Sequence, residues 1–409
     1  MNNKQNVPTV RFLGFDQDWK EKELGKDICE IMGGGTPSTS IPEFWGGDID
    51  WYSPTEIGKR VYVEGSQKKI TPLGLKCSSA KILPAGKTVL FTSRAGIGDM
   101  AILNNSGTTN QGFQSFVVKD GYSPYFLYSA GHLIKGYALK HASGSTFLEI
   151  SGKQLAQMMI FAPSSDEQTQ IGNYFQKLDT LINQHQQKHD KLSNLKKAML
   201  EKMFPKAGET VPEIRFDGFS GDWEEKELGR DIAEIVGGGT PSTSVSDFWD
   251  GDIDWYSPTE IGKRVYAEGS QKKITRLGLK SSSAKILPAG KTVLFTSRAG
   301  IGDMAILTKS GTTNQGFQSF VCKDGYSPYF LYSAGHLIKA YALKHASGST
   351  FLEISGKQLA QMILLVPSSD EQNQIGDYFK KLDELINQHS QQITKLKNIK
   401  QACLDKMFV

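Results

Sequence analysis

The 409-residue sequence predicts an α+β fold with two near-identical globular domains, separated by an antiparallel two-helix coiled coil and related by a pseudo-twofold axis. Three observations carry that expectation. Val7 to Phe204 aligns without a gap onto Val211 to Phe408, so that Trp19 falls on Trp223 and Trp45 on Trp249; roughly four positions in five are identical, and so long a repeat is a whole domain, not a solenoid unit. Short strand-like runs alternate with Gly, Pro, Ser and Asn clusters through most of each copy. Each copy then ends in a long stretch with an apolar period near three and a half.

The division expected from these signals is a first globular domain over 1–165, a central helix over 166–204, a linker and second globular domain over 205–369, and a C-terminal helix over 370–409. Inside the first domain, Ala80 to Ser93, Asp99 to Leu103 and Phe113 to Val118 read as strands. Pro124 to Ala142 and Ser151 to Met159 read as helices. The sequence Ser165-Asp166-Glu167-Gln168 has the form of a capping box, in which the serine oxygen takes the amide three residues on. Beyond it Ile171, Phe175, Leu178, Leu181, Ile182, Leu192, Leu195, Met199 and Met203 form the first stripe. Ile375, Phe379, Leu382, Leu385, Ile386, Ile393, Leu396, Ile399, Cys403 and Met407 form the second. Two such seams in one chain are expected to bury against each other, and a twofold relation between the copies makes the helices antiparallel.

Composition narrows the function classes. The net charge of +4 permits nucleic-acid binding without arguing for it. No apolar run is long enough to span a bilayer and the N-terminus has no signal-peptide centre, which together predict a cytoplasmic protein. Cys29, Cys77, Cys322 and Cys403 face Ala233, Ser281, Val118 and Met199 in the other copy, so the repeat demands neither a disulfide nor a thiolate metal site. Pro84-Ala85-Gly86-Lys87-Thr88 ends like a phosphate-binding loop, but Lys81 stands where the first glycine is required and a strand follows where a helix is needed. No histidine or carboxylate spacing demands a metal, and no catalytic residue or metal ligand is assigned.

What remains distinctive is a set of polar, glycine-flanked loops written twice: GGGTPSTS, DWYSPTEIGKR, TSRAGIGDMAI, TTNQGFQSF and KHASGSTFLEIS. With the VPxxRFxGFxxxW opening, LPAGKTVLFTSRAGIG and the long helix after each domain, they resemble the specificity subunit of type I DNA restriction-modification systems, over essentially the whole chain. The resemblance implies that each globular part is a target recognition domain reading one half of a bipartite site on double-stranded DNA, with the helices as spacer. It implies a non-catalytic chain that assembles with two methyltransferase subunits and with restriction/translocase subunits. S-adenosylmethionine, ATP and magnesium are then expected on those partners and no cofactor on this chain. A self-contained DNA-modifying enzyme and a protein-binding scaffold are the alternatives.

On that reading the loops supply the DNA contacts. Asn110 and Gln111, with Asn314 and Gln315, carry amides able to pair bidentately with adenine, and Arg94 and Arg298 have the fork suited to guanine. Thr36, Ser38, Ser53, Thr55, Ser93, Ser143 and Ser145, with Thr240, Ser242, Ser257, Thr259, Ser297, Ser347 and Ser349, are candidate hydrogen-bonders to phosphates or base edges. Lys59, Arg60 and Lys140, with Lys263, Arg264 and Lys344, are candidate backbone clamps. Because the same loops occur in both copies, the expected target is an inverted repeat.

Overall fold

The computed structural model describes residues 6–94, 96–144, 148–348 and 352–409. Ser145 and Ser349 lie outside the described residues. The chain forms two compact units, Met1–Gln186 with Gln391–Val409, and Gln187–Ser390. Neither unit is a contiguous copy of the repeat: each is completed by a helix segment from the other copy.

In the first unit the strands are β1 (Lys20–Glu23), β2 (Cys29–Gly33), β3 (Trp45–Tyr52), β4 (Tyr62–Val63), β5 (Lys68–Ile70), β6 (Thr88–Phe91), β7 (Met100–Leu103), β8 (Gly107–Thr109), β9 (Gln114–Val118) and β10 (Met159–Ala162). The helices are α1 (Pro72–Lys76), α2 (Pro124–Ser129), α3 (Gly131–His141), α4 (Gly152–Ala156) and, as far as Gln186, the long α5 (Ser165–Lys202). A five-stranded sheet runs β2-β9-β6-β7-β4 and a three-stranded sheet runs β5-β3-β8, while β1 pairs antiparallel with β10. The second unit repeats all three sheets.

Strand alternation puts the two faces of the larger sheet against different neighbours. Val89, Phe91, Phe116 and Val118 face the main core with Phe126, Ile134 and the start of α5. Leu90, Leu103 and Phe113 face a second core with Tyr52 and Leu83. Burial pushes the Cys29 thiol of the main core up to about 12.

Several local expectations are corrected. Pro124 to Ala142 is two helices, broken at the buried Ala130, where Gly131 passes so close to Met100 Sδ that a Cβ would lie 2.6 Å from it. The segment after Ser151 is helical only through Ala156, and Met159 opens a strand. The cap of α5 is Ser164, whose Oγ accepts the Glu167 N–H at 3.4 Å, so Ser165 is already helical. Gln168 is buried; its Nε2 donates to Pro163 O and its Oε1 accepts the Ser123 N–H, which spends its side chain on the globular part.

The apolar stripe also does something other than expected. Ile171, Phe175 and Leu178 insert into the main core of the domain. Leu396, Ile399, Cys403 and Leu404 of the C-terminal helix (Ser369–Met407) border that same core, and Met407 and Phe408 enter it. Lys400 Nζ meets Asp179 Oδ1 at 2.5 Å and Tyr174 OH lies 3.5 Å from Cys403 Sγ, so rising numbers on one helix meet falling numbers on the other and the pairing is antiparallel. In the second unit Lys196 Nζ meets Asp383 Oδ1 at 2.5 Å and Phe204 stacks on Phe330, the same contacts with the copies exchanged. Leu181, Leu195 and Leu385 are exposed, so the seam is narrower than the stripe.

Candidate nucleic-acid interface

Backbone hydrogen bonds gather five loops that are far apart in sequence. The turn after β2 is tied to the end of β8 by Gly35 N–H to Thr109 O at 2.8 Å. The end of β8 is tied to β3 by Asn110 N–H to Tyr52 O at 3.0 Å. The loop after β6 joins through Ser93 N–H to Gly112 O at 2.8 Å, and the segment after α3 through Ile150 N–H to Ser93 O at 3.0 Å. Glu149 bridges that segment by backbone pairing to both Ser143 and Arg94. Glycine makes the closest approach possible: a Cβ on Gly34 would fall 2.0 Å from Asn110 O and 2.4 Å from Thr109 O. The second unit reproduces each bond at its equivalent residues.

Within this cluster Thr36 donates to Gln111 Oε1, and Thr240 to Gln315 Oε1. Asn110 Oδ1 and Asn314 Oδ1 each accept the N–H two residues on, at 2.8 Å. Both amide oxygens are therefore engaged inside the loops, so the bidentate adenine pairing expected of them is not preformed. Their NH2 groups can act only as donors, whatever the oxygens do. Ser53 caps a short turn, its N–H and Oγ both 2.7 Å from Glu56 Oε2, with Thr55 Oγ1 3.1 Å away. Ser257, Thr259 and Glu260 repeat this. Ser38 Oγ pairs with Ser40, and Ser242 Oγ with Ser244, at 2.8 Å. Tyr52 beneath the cluster is pushed up to about 12 by burial, and its OH accepts the Gly65 N–H.

Ser93 and Ser297 are corrections. Both are fully buried, and their hydroxyls have no hydrogen-bond partner among the described residues. They serve through their backbones, as the knot between two loops, and cannot touch a ligand at the surface.

The charged groups belong to the same loops. Lys59, Arg60, Lys140 and Ser143 are exposed, as are Lys263, Arg264, Lys344 and Ser347. Arg94 is half-buried; Arg298 Nη1 lies 4.0 Å from Glu353 Oε2. Asp99, the natural sequence neighbour for Arg94, instead faces Lys135 at 3.9 Å. The Glu149 and Glu353 contribution was invisible in sequence, because it depends on a bridge closed only by folding. Among the described residues no group of three or more His, Cys, Asp or Glu side chains could hold a metal ion. What the arrangement offers is a hydrogen-bonded polar loop cluster with exposed lysines and an arginine on the same loops, a combination that suits base-edge contact by the amides and phosphate contact by the cations.

Comparisons with known proteins identify the family. Residues 16–194 and 220–398 each match the family model for the type I restriction modification DNA specificity domain. The sequence is 28% identical to the type I restriction enzyme MjaIX specificity subunit of Methanocaldococcus jannaschii, covering 96% of this chain and 93% of that protein. It is 30% identical to the EcoR124I/EcoR124II specificity subunit of Escherichia coli over 45% of this chain and 47% of that one. The crystal structure of the type I restriction-modification S subunit from M. genitalium superposes over 98% of this chain and 99% of its own, with a TM-score of 0.67 at 14% identity, a likeness of fold.

Proposed function

From the premise that the chain belongs to the type I restriction-modification DNA specificity family, with a target recognition domain in each copy, we propose that its two loop clusters read the same short base sequence, on opposite strands of an inverted-repeat site. Specificity subunits of this family are non-catalytic; they bind DNA and assemble with the subunits that hold the catalytic centres. The observation that supports identical half-sites is the agreement of the clusters bond for bond, from Gly35 to Thr109 and Gly239 to Thr313 through to Ile150 and Ile354.

In this reading the amide nitrogens of Asn110 and Gln111, with the Arg94 fork, address base edges. Thr36, Ser38, Ser53, Thr55 and Ser143 order the floor or meet base edges and phosphates, and Lys59, Arg60 and Lys140 hold the backbone. Ser145 and Ser349 remain candidates of the same kind. The partners are two methyltransferase subunits and the restriction/translocase subunits, which carry S-adenosylmethionine, ATP and magnesium. No helix among the described residues is long and apolar enough to cross a membrane; a cytoplasmic complex, where the DNA is, is part of this proposal.

Titration of duplex DNA by the chain assembled with its methyltransferase subunits tests the assignment of roles. Lys59→Ala with Lys263→Ala should weaken binding to all sequences alike and lower the log–log salt slope by about 1 for each phosphate contact removed. Gln111→Ala with Gln315→Ala should leave that slope unchanged and reduce preference for the cognate site by about tenfold, or roughly 1.4 kcal/mol. A uniform loss from both pairs would refute the division into readers and clamps.

A further inference from the structure

Among the polar contacts that fasten each target recognition domain to its helices, one joins both helices at once, and it is the same in both units. Tyr125 on α2 donates its hydroxyl to Asp179 Oδ2 at 2.7 Å, while Lys400 of the C-terminal helix donates to Asp179 Oδ1 at 2.5 Å. Tyr329, Asp383 and Lys196 make the same bonds at 2.8 and 2.5 Å. One carboxylate thus joins three segments: the domain, the helix of its own copy and the helix of the other copy. Burial, and then the Asp179 charge, raise the Tyr125 hydroxyl far above its ordinary range, so it stays a donor.

Around this contact the packing is mainly aromatic, with a hydrogen bond of 2.7 Å from Gln176 Nε2 to Tyr62 OH beside it in the first unit. Phe408 lies against Trp19, Phe126 and Phe175, with ring centroids 5.4 to 6.2 Å apart. Apolar burial is non-directional, and a ring can shift on such a surface with little change in area. Hydrogen bonds to a carboxylate are directional and charge-assisted, so they select one pose among those the apolar contacts allow. Buried polar groups of this kind are best attested as devices that fix register at some expense in stability.

We propose that Asp179 and Asp383 are positioning residues for DNA recognition: they fix the pose of each target recognition domain on its helix segments, and thereby the number of unread base pairs the complex accepts between half-sites. The inference rests on the reading of each domain as the reader of one half-site.

The test uses the chain assembled with its methyltransferase subunits, and duplexes built from the half-sites located by methylation mapping. Some carry the native spacing, some have one base pair added or removed, and some hold a single half-site. In the Asp179→Asn, Asp383→Asn chain the preference for native over altered spacing should fall by about tenfold, with single-half-site affinity changed by less than about twofold. Tyr125→Phe with Tyr329→Phe keeps the rings and the lysine bonds, so it guards against misfolding; it should lower the same ratio by less. An unchanged spacing preference in both variants overturns the proposal, as does an equal loss on every duplex including the single half-site. A lack of sequence preference in the unsubstituted complex would instead sink the underlying reading, and it shows before any substitution is made.

Discussion

The carboxylate of Glu167 is 1% exposed and accepts both Nε and Nη2 of Arg11 at 2.7 Å, with Trp19 Nε1 at 3.4 Å. Arg215 and Glu371 repeat the pair. Removing one partner strands the other charge away from water, so Glu167→Ala should cost about 3–5 kcal/mol in urea unfolding; a loss below about 1 kcal/mol would show the pair is not isolated from solvent. Asp250 has φ +60° where the first copy has Gly46 at φ +77°, a left-handed position that asparagine and aspartate tolerate better than most residues. Asp250→Gly should therefore stabilise the second unit by up to about 1 kcal/mol. Burial holds the Cys29 and Cys322 thiols up at about 12, whereas Cys77 is exposed. Since the thiolate is the nucleophile, alkylation near pH 8 should modify Cys77 first and leave Cys29 and Cys322 intact until unfolding. The linkage has a definite sign: these raised values make a contribution that is complete below the unfolded value of about 9 and is lost as pH climbs toward 12.

The helices show how far sequence reaches at the level of elements. A period near three and a half identified both long helices, yet a stripe says only that one face is apolar, not what covers it. The domain core takes Ile171, Phe175 and Leu178, and Leu181 is left exposed, because a globular surface competes with the partner helix for the same face. Ser93 misled for a related reason: a small polar residue beside a loop reads as surface, and only strand pairing shows that it points inward. The five loops were legible as repeated words, while the bonds that gather them span long sequence separations and emerge only on folding. The exchange of helix ends has its own consequence. Phe408→Ala empties a site in the first unit alone, and should cost about 3–5 kcal/mol there. Hydrogen exchange should show the first unit opening before the second; equal protection would contradict the assignment of Phe408 to that core.

For the molecule as a whole, the duplication explains why two near-identical domains stay in one chain: each needs a helix end from the other copy. Residues 1–204 end at Phe204, the counterpart of Phe408, and carry Lys196, the counterpart of Lys400. That fragment alone should form a symmetric dimer in which each Phe204 fills the other's core, measurable by analytical ultracentrifugation as twice the fragment mass; a stable folded monomer would oppose it. On the proposed reading the same duplication governs recognition, since the residues from Ser106 to Val117 and from Tyr137 to Met158 are unchanged in the second copy. The substitutions Pro72 to Arg276 and Asn105 to Lys309 add positive charge to the second domain outside the five loops, where phosphate attraction can change without altering the bases read. Mapping methylated bases across the genome of a cell that carries this chain with the proposed methyltransferase subunits bears most directly on the central claim. The expected result is a bipartite site whose two halves are the same sequence on opposite strands. Two unrelated half-sites would contradict it.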